Sequence, residues 1–283
     1  MNESTELTIN VNGELMELSS PKVMGILNVT PDSFYEASRK ETERDIAERA
    51  RQIVEEGADI IDIGAYSSRP DAEDISAEEE MKRLRKGLAI LRRETPGAVI
   101  SVDTFRAGVA AMCVEEYGAA IINDISGGQL DEQMFDTVEK LNVPYVLTHL
   151  QGTPQTMQVA PRYENLRTDV PRYFAEKIQE LHARGVKDII IDPGFGFGKT
   201  LAQNYELLRH LDDFRIFGMP VLAGFSRKSM IYKLLGCTPA EALNGTTVLN
   251  TLAMAKGAHI LRVHDVKACV EAARIFNEMN KQP

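Results

Sequence analysis

Two aspartates and an asparagine stand where a binding site for a small polar molecule could form. Asp103, Asn123 and Asp192 each follow a short apolar run in the sequence. If these runs are neighbouring strands, the three side chains meet at one end of a sheet, where their oxygens can accept hydrogen bonds from a donor-rich heterocycle with a guanidine-like edge. Each aspartate alone could instead cap the helix that follows it, because aspartate is common at helix starts. Their joint occurrence favours a shared site.

A first group of positive charges lies in residues 224–229 (GFSRKS), which follow an apolar run and open a predicted helix. Free backbone N–H groups, hydroxyls and cations meet in this segment, and that combination suits a carboxylate or a phosphate. Ser226 could merely cap the helix, and Arg227 and Lys228 could belong to a solvated first turn. Positive charges at a helix start oppose the helix dipole, however, so a ligand is the better explanation.

A second group of positive charges ends the last apolar run. Strand alternation puts Arg262 and His264 on the same side of the chain. A guanidinium next to an imidazole is a natural clamp for a diphosphate, and Lys228 adds a further cation. We therefore expect an anion-binding subsite beside the carboxylates.

The glycine-rich segment 192–200 (DPGFGFGKT) resembles a nucleotide-binding loop, but the spacing of its glycines excludes that assignment. A P-loop has four residues between its first glycine and Gly-Lys-Thr, whereas Gly194 and Gly198 have three between them. We expect instead a flexible floor on which Phe197 packs against a flat ligand. The alternative is a glycine-rich turn with buried phenylalanines. His149 also ends an apolar run, but the pattern assigns it no catalytic role.

Eight short apolar runs recur along nearly the whole chain. Runs this short and continuous are typical of strands buried on both faces, as in a parallel sheet covered by helices. Segments with a helical period alternate with them, which selects α/β over α+β. Eight such strands with polar residues at their carboxyl ends predict a (β/α)8 TIM barrel with its active site at that end. The runs cover residues 23–27, 60–63, 98–102, 119–122, 145–148, 189–191, 221–223 and 259–261.

A β-hairpin is predicted ahead of the barrel. Ile9 and Val11 alternate with polar residues and run into the Asn-Gly dipeptide at 12–13, which is typical of two-residue primed turns. We expect this extension, within residues 1–20, to close the amino-terminal mouth of a single barrel domain spanning residues 1–283. Three long connections rich in turn residues, which cover residues 29–40, 64–76 and 151–161, should lie over the opposite mouth.

Composition excludes several classes of protein. The formal charge of −10 argues against broad binding to nucleic acids or anionic membranes, because both need a basic face. Cys113, Cys237 and Cys269 are far apart and form no C-x-x-C pair, which disfavours a zinc site or a disulfide framework. The amino terminus has no signal-like pattern, and no apolar run reaches membrane-spanning length. We expect a cytoplasmic protein with small-molecule partners, no nucleic acid and no membrane.

Taken together, these segments resemble the dihydropteroate synthases, a family of pterin-binding enzymes of folate biosynthesis. The resemblance runs from Pro21 to about Ala268 in consistent order, and the ordered set is much more specific than any single motif. The similar segments are residues 24–34, 67–70, 101–104, 122–125, 149–158, 192–200, 226–231 and 262–267.

The resemblance implies that 6-hydroxymethyl-7,8-dihydropterin diphosphate condenses with 4-aminobenzoate, with Mg²⁺ as cofactor and in a homodimer. By matching positions, the pterin ring would be held by Asp103, Asn123, Asp192 and Lys228. The diphosphate would be held by Asn28, Arg262 and His264, and Asn28 would also bind the magnesium. The 4-aminobenzoate site would be formed by Phe34, Ser68, Arg69, Pro70, Phe197 and Ser229. The catalytic residues would be Asp103, which would stabilise a pterin cation, and Arg262, His264 and Lys228, which would stabilise the leaving diphosphate.

One loop departs from the family pattern, and it bears on the alternatives. Where Gly-Glu-Ser-Thr-Arg-Pro is common, residues 65–70 read AYSSRP; Ser68 keeps a hydroxyl, but Tyr66 replaces the acidic residue. A pterin-dependent methyltransferase domain would bind the same ring and have less use for a diphosphate clamp. A third possibility is an inactive paralogue that only binds pterins, and the altered loop is the sole feature that favours this possibility.

Overall fold

The structure is a computed structural model that describes residues 7–29, 39–66, 74–153, 156–157 and 161–281, with residues 39–42 described by their backbone alone. Four predicted site residues lie outside the described residues: Phe34, Ser68, Arg69 and Pro70. The described strands are β1 (Thr8–Val11), β2 (Glu14–Glu17), β3 (Lys22–Asn28), β4 (Ile60–Gly64), β5 (Val99–Asp103), β6 (Ile121–Asp124), β7 (Tyr145–Thr148), β8 (Ile189–Asp192), β9 (Leu222–Ala223) and β10 (Ile260–Val263).

Helices follow the barrel strands and pack on the outside of the sheet. They are α1 (Arg39–Glu55), α2 (Ala77–Glu94), α3 (Ala107–Tyr117), α4 (Met134–Leu141), α5 (Leu166–Ala183), α6 (Leu201–Arg209), α7 (Ser229–Leu235), α8 (Leu243–Ala255) and α9 (Val266–Asn280). Short 3₁₀ helices cover Leu211–Phe217 and Pro239–Glu241. No helix within the described ranges combines the length and the apolarity needed to cross a lipid bilayer.

Eight parallel strands close into a barrel. Their hydrogen-bonded order is β8-β7-β6-β5-β4-β3-β10-β9, and a parallel bridge between Ile191 and Val221 joins the two ends of that order. At this seam the Ile191 N–H donates to the carbonyl of Pro220 at 2.9 Å. On the outer face, Ile61 and Ile63 of β4 enter a core shared with helix residues. The predicted (β/α)8 barrel is therefore confirmed.

The predicted hairpin is formed by β1 and β2, and it closes the amino-terminal mouth. Asn12 and Gly13 have φ angles of 55° and 87°, the positive values that a type I′ turn requires. Ile9, Val11 and Leu18 pack in one apolar cluster with residues from the amino-terminal ends of the barrel strands, which confirms the expected closure. The barrel residues of that cluster include Met24, Ile60, Ile121, Val146, Ile190, Leu222 and Ile260.

Two residues further along the strands, the inward positions become polar. Asp62 follows Ile60 on β4, and Asn123 follows Ile121 on β6. Because strand side chains alternate between the two faces, these residues point to the same side as the apolar cluster. The corresponding positions of β5, β7, β8 and β10 are occupied by Ser101, Thr148, Asp192 and Arg262. The barrel is thus apolar and closed at one end, and polar at its carboxyl end.

The hairpin closure predicts a measurable stability effect. Ile9 is 1% exposed, so Ile9→Ala should lower the free energy of unfolding by about 2 to 5 kcal/mol, because it leaves a cavity in the cluster that seals the barrel. Urea unfolding measures the change. Leu15→Ala, on the same hairpin but 71% exposed, should stay within about 0.5 kcal/mol of wild type. Equal effects of the two substitutions would contradict the closure.

Candidate active site

Arg262 joins two carboxylates from neighbouring strands at the carboxyl end of the barrel. Its Nε donates to Asp62 Oδ2 and its Nη2 donates to Asp103 Oδ2, both at 2.6 Å. The arginine lies on the last strand, whereas the aspartates lie on β4 and β5. The predicted convergence of distant residues on one mouth is therefore observed for Asp103 and Arg262.

Asp62 is a site residue that the sequence analysis missed. Its side chain is 0% exposed, and its Oδ2 also accepts a hydrogen bond from Asn123 Nδ2 at 3.1 Å. Its Oδ1 has no hydrogen-bond partner within the described part of the chain. One signal could have revealed it: a carboxylate inside an apolar strand, at an inward position, is expensive to bury without a cation.

The local charges shift the ionisation of this cluster. Burial raises the pKa of the Asp103 carboxyl to about 7, against the attraction of Arg262, and the negative charge of Asp62 raises it further. For Arg262, burial opposes ionisation, but Asp62 and Asp103 more than compensate, and the pKa of the guanidinium lies above its ordinary value. Arg262 therefore remains a cation, and the Asp103 carboxyl titrates much closer to neutral pH than an ordinary aspartate does.

Asp192 and Lys228 form the opposite side of the mouth. Asp192 Oδ1 accepts a hydrogen bond from the Gly194 N–H at 2.8 Å, and burial raises the pKa of this carboxyl while Lys228 lowers it. Burial lowers the pKa of Lys228 to about 8, while Asp192 opposes that shift. Neither Asp103 nor Asp192 caps a helix, because α3 and α6 begin after Arg106 and Thr200. The capping alternative is thus wrong for both aspartates.

The glycine-rich loop is held firmly, which differs from the flexible floor expected from its sequence. Lys228 Nζ donates to the Phe195 carbonyl at 2.6 Å and lies 4.4 Å from the centre of the Phe197 ring. The Gly196 N–H donates to Asn204 Oδ1 at 2.6 Å. Phe195 is buried and Phe197 is half-buried, so the loop combines a buried phenylalanine with one that borders the mouth.

A second lysine in this region also escaped the sequence analysis. Lys199 is 3% exposed, and its Nζ lies 3.0 Å from His149 Nδ1. The ring of His149 is buried; its burial and the charge of Lys199 lower the pKa of the imidazole to about 2. His149 is therefore neutral, and the sequence pattern gave no sign that these residues meet.

Arg227 does not provide a free cation for a ligand. It has a positive φ of 56°, and its guanidinium pairs with both carboxylate oxygens of Asp265, at 2.9 and 2.7 Å. It also donates to the carbonyl of Pro239 at 2.9 Å. Ser226 does not cap α7 either, because its Oγ accepts from the His264 N–H and lies 3.0 Å from His264 Nδ1. These contacts join the ends of β9 and β10.

The remaining predicted residues lie at the ends of described elements. Asn28 ends β3 with an exposed side chain, and Ser229 is the half-buried first residue of α7. His264 is exposed just after β10. Tyr66, where the family pattern has an acidic residue, packs edge-on against Phe105 with ring centres 4.9 Å apart.

The neutral state of His149 predicts an acid-sensitive fold. Below pH 6.5 the unfolded chain protonates this histidine and the folded chain does not, so the free energy of unfolding should fall with decreasing pH at up to about 1.4 kcal/mol per pH unit. His149→Asn should flatten that dependence between about pH 6 and pH 4 in urea titrations. His182→Asn, at an exposed position of α5, should retain the wild-type slope. Parallel curves for wild type and His149→Asn would contradict the assignment.

The chain is similar in sequence and fold to several known proteins. The dihydropteroate synthase of Escherichia coli (strain K12) is 42% identical over 266 residues, which cover 93% of each chain. A Yersinia pestis dihydropteroate synthase solved with a sulfonamide drug has a TM-score of 0.90 at 39% identity, and the match covers 96% of this chain and 99% of that one. The Xanthomonas albilineans enzyme in complex with 7,8-dihydropteroate has a TM-score of 0.86 at 36% identity, covering 98% and 100%.

The family profile described as "Pterin binding enzyme" matches residues 24–264, from the first barrel strand to the end of the last. This range includes the carboxylates, Lys199, Lys228 and Arg262. The chain belongs to the pterin-binding enzyme family.

Proposed function

We infer that this protein catalyses the dihydropteroate synthase reaction, in which 6-hydroxymethyl-7,8-dihydropterin diphosphate and 4-aminobenzoate give 7,8-dihydropteroate and diphosphate. Relatives of that name match more than nine-tenths of the chain. The observation that carries the inference is the guanidinium of Arg262 between Asp62 and Asp103 at the barrel mouth. It brings acceptors for a donor-rich ring and a cation for an anionic leaving group into one small site.

The reaction breaks the bond between the pterin methylene carbon and a diphosphate oxygen, and forms a bond from that carbon to the amine nitrogen. Positive charge develops on the pterin and negative charge on the diphosphate as the first bond breaks. A site that stabilises both charges in fixed positions lowers the barrier most. Asp103 Oδ2 and Arg262 Nη2 are 2.6 Å apart, so a carboxylate for the pterin and a cation for the diphosphate lie side by side in one site.

The pterin ring would bind through the acceptors of the mouth. Because Asn123 Nδ2 already donates to Asp62, its Oδ1 is the atom that would accept a hydrogen bond from the ring. Asp103 and Asp192 would accept from the remaining ring N–H groups. The second bond of Arg262, to Asp62, would hold the guanidinium in place when ring donors engage Asp103.

The diphosphate would bind on the cationic side of the site. Within the described part of the chain, Nε and Nη2 of Arg262 are engaged and Nη1 has no hydrogen-bond partner, so Nη1 would be the donor to a phosphate oxygen. Lys228, His264 and Asn28 would supply the other contacts. Together they would stabilise the leaving group as its negative charge grows.

Magnesium is proposed at Asn28, whose exposed amide ends β3 at this mouth. The described residues contain no group of three His, Cys, Asp or Glu side chains that could hold a metal ion. A single amide oxygen, that of Asn28, is a sufficient protein ligand for Mg²⁺, because this ion commonly takes one or two protein oxygens and completes its shell with water and substrate phosphates. Bound there, the ion would neutralise charge on the diphosphate.

The arylamine would approach beside Phe197, with Ser229 near its carboxylate; the resemblance adds Phe34, Ser68, Arg69 and Pro70 to this side. An arylamine is a weak base, and its nitrogen becomes acidic once bonded to the methylene carbon, so no strong general base is required. The residues of this side would mainly exclude water, which would otherwise capture the cation.

The direct test combines the pterin diphosphate, Mg²⁺ and purified protein, and follows diphosphate release and dihydropteroate formation with and without 4-aminobenzoate. Product that requires both organic substrates supports the proposal, and chelation of Mg²⁺ should lower the rate until the ion is restored. The absence of dihydropteroate at saturating substrates would exclude this function. Methyl transfer from methyltetrahydrofolate, measured in parallel, would instead support the methyltransferase alternative.

Arg262→Ala should reduce kcat/KM roughly 30-fold to 1000-fold, because one fixed cation is removed from the leaving group. This corresponds to a loss of about 2 to 4 kcal/mol of transition-state stabilisation. Steady-state kinetics measures the loss. Arg51→Ala is the matched control: Arg51 pairs with Glu94 on the outer helices, and such exposed pairs contribute little. A loss below about threefold for Arg262→Ala would contradict its role.

We also propose that the protein is a homodimer joined through α7, α8 and α9. Of the large hydrophobic side chains exposed in the described residues, most lie on these helices, and such patches commonly mark protein interfaces. Val248 and Leu252 lie one turn apart on α8, as Ile275 and Met279 do on α9. The patch comprises Leu234, Leu235, Leu243, Val248, Leu252, Ile275 and Met279.

Sedimentation velocity tests the dimer. Wild type should sediment as a dimer, and Leu252→Glu should shift it towards monomer, because a buried unpaired charge opposes association. Ile216→Glu, at an exposed apolar position outside the patch, should leave the dimer intact. A wild-type monomer at micromolar concentration would refute the proposal.

A further inference from the structure

Lys199 is surrounded by acceptors that match its ammonium group. Its Nζ lies 3.0 Å from the carbonyl oxygens of Gly194 and Phe197 and 3.0 Å from His149 Nδ1. An ammonium has three N–H donors, and these three acceptors can take one each. The neutral His149 ring can accept at Nδ1, so all three donors are used. This is a complete binding site for one cation, built inside the protein.

Burying this cation is unfavourable, so its retention calls for a reason. Among the described residues, the hydrogen bonds of Lys199 Nζ run to the His149 ring and to backbone carbonyls, and no carboxylate pairs with it. Burial lowers the pKa of its ammonium to about 7, although Asp192 opposes that shift. Burial of a cation without a close carboxylate is costly, and an apolar side chain could fill the same space. The acceptors themselves indicate what the lysine does.

Two of those acceptors belong to the turn that carries Phe197. The Phe197 N–H donates to the Gly194 carbonyl at 3.0 Å, so residues 194–197 form a turn, and Lys199 binds the carbonyls at both of its ends. Lys228 binds the carbonyl of Phe195, between those ends. The turn is thus held by two lysines at different carbonyls.

The third acceptor ties the turn to the neighbouring strand. His149 directly follows β7, and a Cβ atom at Gly194 would lie 2.1 Å from the His149 carbonyl oxygen. Only glycine permits this close approach, and Gly194 has a positive φ of 73°. Lys199 therefore links the end of β7 to the turn and fixes the backbone from which the Phe197 ring projects.

We propose that Lys199 is a positioning residue for the arylamine substrate: by holding the 194–197 turn against the end of β7, it sets the ring of Phe197 against which an aryl ring packs. The proposal rests on the proposed function, because that function supplies the arylamine. Lys199 touches neither substrate in this scheme. It acts through the backbone, so its loss should weaken arylamine use more than pterin binding.

The first experiment measures the solvent exposure of the turn and does not depend on catalysis. The chain contains no tryptophan, so Phe197→Trp places the only tryptophan of the variant at the turn. Adding Lys199→Met should raise the acrylamide quenching constant by about threefold, because a turn released from its hydrogen bonds opens more often. Adding Lys187→Met, at an exposed lysine just before β8, should leave quenching unchanged. Unchanged quenching in the Lys199→Met protein overturns the proposal.

The second experiment separates the two substrates in the protein that keeps Phe197. Lys199→Met should raise KM for 4-aminobenzoate about tenfold, since small misplacements of a positioning group have large effects. The calorimetric Kd for 6-hydroxymethylpterin should change by less than about twofold. Equal losses for both ligands would indicate a merely structural role and overturn the proposal, as would an unchanged KM for the amine.

Folding is checked by circular dichroism and urea unfolding before either comparison. If Lys199→Met does not fold, Lys199→Gln, which keeps a shorter donor, is measured in the same two ways and should give smaller shifts in the same directions. If wild type forms no dihydropteroate but quenching still rises in the Lys199 variant, the proposed function fails while the turn-holding role of Lys199 is supported.

Discussion

Opposite charges buried together at the carboxyl end of the barrel are the constraint on which the site depends. Arg262 is 19% exposed and contacts two carboxylates, one of which is fully buried. Removing one partner of such a buried pair typically costs about 3 to 5 kcal/mol, because the other charge is left without compensation. The positions of β4, β5 and β10 are therefore coupled through this arginine. The proposed diphosphate contact uses the same cation.

The architecture separates stability from chemistry along the barrel axis. The hairpin and the apolar interior cluster fill the amino-terminal half, and the polar positions begin two residues further along β4, β5, β6, β7, β8 and β10. Several buried polar atoms at this level, including Ser101 Oγ and Thr148 Oγ1, have no partner among the described residues. Polar atoms in a closed barrel that do not satisfy one another favour a polar ligand, which agrees with the binding of a pterin.

Much of this arrangement could be predicted from the sequence because it depends on local signals. Short apolar runs gave the strands, the Asn-Gly dipeptide gave the hairpin turn, and Asp103 and Arg262 were visible as polar residues at strand ends. Asp62 was missed because it lies inside an apolar run, where only its inward alternation marks it. Lys199 was missed because its partners are the His149 ring and two backbone carbonyls, and neither kind of contact leaves a residue pattern. The loop around Phe197 was expected to be flexible because its glycines allow many backbone conformations. The hydrogen bonds that fix one of these conformations form only in the folded protein and are not visible in the sequence.

The position of β10 between β3 and β9 has a consequence for how the chain must be completed. Arg262 comes 200 residues after Asp62 and 159 residues after Asp103, so on the ribosome both anions emerge long before the guanidinium that neutralises them. Until the carboxy-terminal strand inserts, the cylinder has a gap and two acidic groups without a counter-ion. Closure of the cylinder and neutralisation of the two carboxylates thus both require the last strand, and a nascent chain truncated before it has neither.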